Sequence, residues 1–293
     1  MSGHGVFPVT IPTDRFTIEG KSRAGNETYF RIRELGIGLD IGRCPDSLVG
    51  LSHIFVTHAH LDHAVGIPFY AGQRRLQRLP PGTVYLPAET IPDFRQLMRL
   101  HEKLEGTEYD LILVGMSPGQ SLPLRRNLVV RAHESSHRVV ACSWEFLERR
   151  HKLRPELSSL PAGELALRRR SGESIDVERL HPILFYTGDT DRRILEENDE
   201  LYRTEVLMIE CSFIAPEHRE LAMRYRHIHI DDLFEVSDRF ENAMIVLTHF
   251  SLRYTPSEIH RTIASRCPAG LRSRLRLALP EPFDRIEPEE ANE

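Results

Sequence analysis

Short apolar runs separated by polar turns recur along this chain, and most of them end on a residue able to do chemistry. Thr28-Tyr29-Phe30-Arg31-Ile32 alternates as an early antiparallel strand would. Ile37-Gly38-Leu39, Ile54-Phe55-Val56, Thr83-Val84-Tyr85-Leu86, Asn127–Val130, Ile183–Tyr186, Val206–Ile209 and Ala243–Leu247 are β-branched or aromatic-rich runs that predict buried strands. Between them the spacing predicts a helix over 64–79, with Pro68 in its first turn, and another over 91–105. The second is expected to turn Phe94, Leu97, Met98 and Leu104 inward, and Arg224–Leu233 to open a helix capped by Asp. Such layered folds carry their functional groups at the carboxyl ends of strands.

The densest of these strand ends is Thr57-His58-Ala59-His60-Leu61-Asp62-His63. His58 and His60, two apart in an extended segment, point the same way and can grip one cation, while Asp62 and His63 turn toward a second position nearby. Imidazole with an added carboxylate suits Zn, Fe or Mn, and Zn is the first expectation for a hydrolytic site. Other chemistry-bearing strand ends are Asp189 in Thr187-Gly188-Asp189-Thr190, Glu210 after Val206–Ile209, and His249 in Thr248-His249-Phe250. His133 and His137 both follow the 127–130 strand and compete for one role. Asp40 interrupts an apolar run, where a carboxylate is costly unless paired.

At 293 residues, 40% hydrophobic and 28% charged, the chain suits one large layered domain over 1–280. No stretch approaches the ~20 apolar residues that span a bilayer. The first residues lack a basic start followed by an apolar core, so no secretory signal is expected. Cys44, Cys142, Cys211 and Cys267 form no CxxC pair and read as buried reduced thiols, which points to a cytoplasmic protein. The net charge of −5 offers no overall electrostatic footprint for nucleic acid.

One segment departs from that average. Residues 148–180 hold eight Lys and Arg against six carboxylates, interrupted by Pro155, Pro161, Gly163 and Gly172. They predict either a basic arm that meets a phosphate backbone or a solvated helical hairpin. The acidic residues 281–293 read as a disordered tail.

The His58–His63 segment resembles the HxHxDH signature of the metallo-β-lactamase fold superfamily. Thr187-Gly188-Asp189-Thr190 and Leu247-Thr248-His249-Phe250-Ser251-Leu252-Arg253-Tyr254 are similar to its ribonuclease Z branch. The resemblance runs from Asp40 to Tyr254 and implies an α+β four-layer αβ/βα sandwich. It further implies a first metal on His58, His60 and His137, a second on Asp62, His63 and His249, and Asp189 between them. His137 is preferred to His133 because it stands seven residues before Trp144, the branch's spacing. Asp40 corresponds to a carboxylate that supports the metal loop.

Two Zn2+ are therefore expected, with Mn2+ or Fe2+ as substitutes, and they would make a bridging hydroxide for attack on a phosphodiester. Asp62 would orient that hydroxide. Glu210-Cys211-Ser212-Phe213 resembles the branch's Glu-Ala-Thr-Phe strand end, whose Glu pairs with a histidine at a helix start. His227 and His229 are the candidates for that proton donor, and His229 is favoured. Arg253 would hold a substrate phosphate. The branch implies transfer RNA as substrate and a homodimer. Two other functions compete: a small-molecule metallohydrolase of a thioester, lactone or cyclic phosphodiester, and a non-catalytic metal-binding protein.

Overall fold

The computed structural model describes residues 8–286. Its first sheet runs through β1 (Val9–Pro12), β2 (Thr17–Ala24), β3 (Glu27–Ile32), β4 (Ile37–Leu39), β5 (His53–Phe55), β6 (Gly82–Pro87) and β7 (Leu111–Met116), in that order. Antiparallel pairing up to β4 gives way to parallel pairing from β4 to β7. The second sheet is built from β8 (Ser121–Arg125), β9 (Leu128–Glu134), β10 (Cys142–Leu153), β11 (Asp176–Tyr186), β12 (Val206–Glu210), β13 (Met244–Thr248) and β15 (Leu275–Leu277). Its order is β15-β13-β12-β11-β10-β9-β8, while the two-residue β14 (Phe250–Ser251) crosses back to pair with β2.

Strand alternation makes this a four-layer sandwich. In β12 and β13, Met208 and Val246 face the other sheet, whereas Leu207, Ile209, Ile245 and Leu247 face outward under helices. Between the sheets Phe55 stacks on Tyr85 at 4.3 Å and meets Phe146 edge-on at 5.0 Å. Helices 67–76 and 91–105 cover the outer face of the first sheet through Ile67, Tyr70, Ile91, Phe94 and Met98. Pro68 stands in the first turn of helix Ile67–Leu76, where its missing N–H costs nothing. All four cysteines are buried and unpaired.

Four expectations need correction. Helix Ile91–Glu105 buries Phe94 and Met98, but Leu97 and Leu104 point to solvent, 39% and 83% exposed. With Leu100 they form a second apolar stripe rotated off the buried one, which a single inward face does not anticipate. The helix after Tyr225 spans Ile230–Glu235 and is capped by His229 rather than Asp, with Asp232 closing the capping box. Residues 148–180 do not form a helical hairpin: β10 and β11 extend as a β-ladder tipped by helix Ala162–Arg170. Most of its arginines are already paired, Arg149 with Glu178, Arg168 with Glu164 and Glu173, and Arg169 with Asp176. Finally, the 281–293 tail is ordered as far as residue 286, because Phe283 and Ile286 give it apolar anchors. The rest of that tail, 287–293, lies outside the described residues.

Candidate metal centre

β4, β5, β11, β12 and β13 all end on one edge of the sandwich, so residues far apart in the chain meet there. Asp189 is delivered by the turn after β11, where Gly188 takes a left-handed backbone (φ 60°) and a Cβ would strike Thr57 at 2.5 Å. Asp40 (φ 51°) and His249 (φ 59°) hold the same left-handed conformation, which is uncommon and mildly costly for side-chain-bearing residues. Strain of this kind is tolerated where the surroundings hold it, and both residues are buried.

Two donor sets result. His58 Nε2 lies 3.0 Å from His60 Nδ1, which lies 3.4 Å from His137 Nε2. Asp189 Oδ2 completes that set, 3.7 Å from His58. In the second, His63 Nε2 and His249 Nε2 are 3.4 Å apart, and Asp62 Oδ2 stands 3.6 and 3.5 Å from them. The other oxygen of Asp189, Oδ1, faces these two histidines at 3.4 and 3.3 Å. One carboxylate thus presents one oxygen to each set.

The donors fit divalent cations. A tetrahedron with ligand arms of about 2.0–2.1 Å has edges of about 3.3 Å, close to the spacings within each set. Asp189 Oδ1 is buried with no hydrogen-bond partner, which a bound cation would supply.

Four of the five rings, those of His58, His63, His137 and His249, are oriented from behind. His63 Nδ1 donates to Asp40 Oδ2 at 2.8 Å, and the same carboxylate accepts from Thr57 N at 2.7 Å and Tyr186 Oη at 2.6 Å. Thr57 Oγ1 donates to Asp40 and so accepts from His58 Nδ1 at 3.0 Å. His137 Nδ1 donates to the Arg226 carbonyl at 3.2 Å. His249 Nδ1 donates to Ser212 Oγ at 2.9 Å, and that hydroxyl donates to Glu210 Oε2 at 2.7 Å. Such partners fix the tautomer and aim the free nitrogen.

The charges are set accordingly. Burial opposes a charge on His63, yet Asp189 and Asp40 outweigh it and raise its pKa to about 10. Burial would also raise Asp189, but His249 and His63 hold its carboxyl well below the usual range. Burial lowers His58 well below an ordinary histidine.

Of the residues expected at the site, His58, His60, Asp62, His63, His137, Asp189 and His249 come together, and Asp40 lies directly behind them. His133 is elsewhere, bonded to Glu145 at 2.8 Å. His229 does not reach the site. Its Nδ1 accepts from Asp231 N to cap the helix and its Nε2 donates to the Ala215 carbonyl at 2.9 Å, so both nitrogens are taken. His227 stands in the expected position instead, with Nδ1 2.6 Å from Glu210 Oε1 and its ring grouped with Asp189 and His249. Burial works against protonation of His227, but Glu210 prevails and lifts its pKa to about 9. The sequence did hold the clue: Asp231 and Asp232 mark a first helical turn, so the residue before Ile230 is the cap and the earlier histidine is free.

A cleft of about 440 Å³ opens over the cluster. His60, His137, His227, Phe213, Tyr225, Arg138 and Arg253 line it, so Arg253 is at the site mouth, where its guanidinium bonds Ser251 Oγ at 3.2 Å. Arg138 and Tyr225 were not anticipated, because neither belongs to a recognisable spacing.

Residues 40–250 match the family model described as Beta-lactamase superfamily domain. The chain is 33% identical over 259 residues to tRNase Z TRZ1 of Arabidopsis thaliana, covering 86% of this chain and 91% of that one. It belongs to the tRNase Z family of that superfamily. A second Arabidopsis thaliana relative, tRNase Z TRZ2, chloroplastic, is 30% identical over 256 residues, covering 86% and 72% of the two chains. The short form of human tRNase Z has the same fold, with a TM-score of 0.56, 16% identity and coverage of 97% and 91%. Membership in the tRNase Z (ribonuclease Z) family makes this chain a metal-dependent phosphodiester hydrolase. No helix among the described residues is long and apolar enough to cross a membrane.

Proposed function

We propose that this tRNase Z family member is an endoribonuclease that cuts precursor transfer RNA near its 3′ end, with two divalent cations, Zn2+ first and Mn2+ or Fe2+ as substitutes. The observation that carries the reading is Asp189, whose two oxygens face two separate histidine sets in a chain whose relatives are named tRNase Z. His58, His60 and His137 would hold one cation and Asp62, His63 and His249 the other. Cations bound there would supply a water of lowered pKa and offset charge that develops on the phosphate.

The chain's own groups do the rest. Asp62 Oδ2 is fixed by the Gly25 N–H at 2.8 Å, which leaves its other oxygen to orient a proton of the attacking water. His227, kept protonated by Glu210, donates its proton to the leaving oxygen. Arg253 and Arg138, exposed on the cleft rim, steady the phosphates on either side. In the 148–180 extension, Lys152, Arg170 and Arg179 have no carboxylate partner among the described residues and are the cations free to meet RNA. We place the expected homodimer contact on the apolar groove of Leu61, Val65 and Leu97, which continues into exposed Leu100 and Leu104.

The test is cleavage of a precursor transfer RNA beside hydrolysis of bis(p-nitrophenyl) phosphate, with metal content quantified. Chelation should abolish both and Zn2+ or Mn2+ restore both. Hydrolysis of the small diester without RNA cleavage would move the substrate to a small phosphodiester.

A further inference from the structure

Phe213 is buried, yet it belongs to none of the three apolar clusters that hold the sandwich together. Its neighbours are rings: His218 at 6.2 Å, His227 at 6.2 Å and Tyr225 at 6.5 Å, the last nearly parallel at 10°. Tyr225 ends the helix Arg219–Tyr225, and Arg226 then takes a left-handed backbone (φ 57°) that sends His227 to the metal centre. Tyr225 is therefore locked beside the proton donor. It is half-buried on the cleft wall, and its hydroxyl takes no partner among the described residues. An aromatic face is on offer there. The exposed Arg224 guanidinium stands over the Tyr225 ring, its Cζ 5.8 Å from the centroid, so an incoming base would stack with it or displace it.

The charges around this face point to one class of ligand. Arg253 sits 5.8 Å from the Phe213 ring centre, and Arg138 lines the same cleft. Neither forms an ion pair among the described residues, in a chain of net charge −5. Aromatic planes flanked by unpaired guanidinium groups suit a nucleotide, its base on the ring and its phosphates on the arginines.

We propose that Tyr225, backed by Phe213, seats the nucleobase of the nucleoside whose oxygen leaves. The side is fixed by His227: the group that protonates the leaving oxygen is adjacent to Phe213 and Tyr225, so the nucleoside carrying that oxygen lies against them. This rests on the reading of the chain as an RNA phosphodiesterase, and makes Tyr225 a specificity residue for RNA over simple diesters.

The experiment uses the full chain and three RNAs: a precursor transfer RNA, the same RNA abasic at the nucleotide that carries the leaving oxygen, and the same RNA abasic on the other flank of the cut. Mapping the product ends identifies the leaving side. Wild type should lose about tenfold or more in kcat/KM on the first abasic RNA. Tyr225→Leu should lose a similar factor on intact RNA and nothing further on that abasic RNA, with metal content and melting temperature as checks on folding. Tyr225→Phe should match wild type, and Tyr225→Trp, with a larger face, should raise the ratio of intact to abasic turnover. Losses that multiply in Tyr225→Leu, coupling to the other flank, or a ratio untouched by Leu and Trp alike would overturn the base seat while the RNA reading stands. If wild type hydrolyses bis(p-nitrophenyl) phosphate but leaves every RNA intact, the RNA reading falls and the base seat falls with it.

Discussion

His137 and Arg226 hold each other by their main chains: His137 Nδ1 donates to the Arg226 carbonyl at 3.2 Å, and the Arg226 guanidinium donates to the His137 carbonyl at 2.9 Å. The pair ties the loop that brings His137 into one donor set to the loop that carries His227, the proposed proton donor. Disturbing either member should therefore reach both functions.

Arg226 lets the two causes be separated. Its left-handed backbone suits glycine better than any side chain. Arg226→Ala removes the guanidinium and leaves the backbone strain as it is, because Arg and Ala carry the same Cβ, while Arg226→Gly removes the guanidinium and relieves that strain as well. Outer partners of metal-binding histidines are worth about 10–100-fold in affinity, and we expect Arg226→Gly near the lower end, since the carbonyl still accepts from His137. Competition with a chelator of known affinity measures it. An unchanged affinity in both variants would reduce the pair to a packing contact.

Glu210 links His227 directly and His249 through Ser212. With its pKa raised to about 9, His227 draws stability from the pair that is fully present below the ordinary histidine pKa of about 6.5 and lost as pH rises through about 9. Bound cations pull that upper value down, because they disfavour a nearby positive charge. In either state Glu210→Gln should lower the pKa of His227, so the alkaline limb of kcat/KM moves to lower pH. His227→Ala should lower kcat by about 100-fold or more on poor leaving groups. His229→Ala should instead cost about 1 kcal/mol of stability, as the loss of an N-cap does, with kcat little changed. A kcat loss from His229→Ala equal to that of His227→Ala would reverse the assignment.

What the sequence made legible follows from how local each feature is. Asp40, Asp189, Glu210 and His249 each close a buried apolar run, so a strand end and a chemistry-bearing side chain are read together. His227 and His229 differ in which one the helix consumes, and the acidic first turn of Asp231 and Asp232 was the local signal that separates them. The 148–180 extension was readable as basic and irregular. Its β-ladder was not, because the pairing of β10 with β11 joins residues about thirty apart, and the ion pairs that neutralise it depend on that register. Helix 91–105 misled for a simpler reason: an apolar residue has no inward label, and two leucine-bearing stripes share one helix.

Those ion pairs decide which side chains of the extension are free for the proposed RNA contact. Arg168 and Arg169 would have to leave their carboxylates first. Lys152, Arg170 and Arg179 face no such exchange. Replacing these three by Gln should weaken precursor binding and reduce the slope of log affinity against log salt by roughly 2–3, about one for each phosphate that no longer meets a cation. Hydrolysis of the small diester should be untouched. If Arg168→Gln with Arg169→Gln flattens the slope as much, the ion pairs open on binding. If neither set changes it, the extension does not meet the backbone.

Asp189 carries the last prediction. In the metal-free protein its two oxygens offset a cage of histidines, and Oδ1 has no hydrogen-bond partner. Asp189→Asn keeps the shape and can offer its amide hydrogens to neutral imidazole nitrogens, so the metal-free chain should still fold. The bridging charge is gone, however, and metal content and activity should fall together. A cation present at about 100 times its Kd stabilises by about 2.7 kcal/mol, so in a chain of 293 residues chelation should lower the wild-type melting temperature by about 4 °C for each cation removed. That chelator-dependent drop should shrink sharply in Asp189→Asn. Thermal melts with and without chelator, beside elemental analysis, give both numbers. Full metal content, full activity and an undiminished drop would remove Asp189 from the bridge and leave it as a buried counter-charge to the histidines.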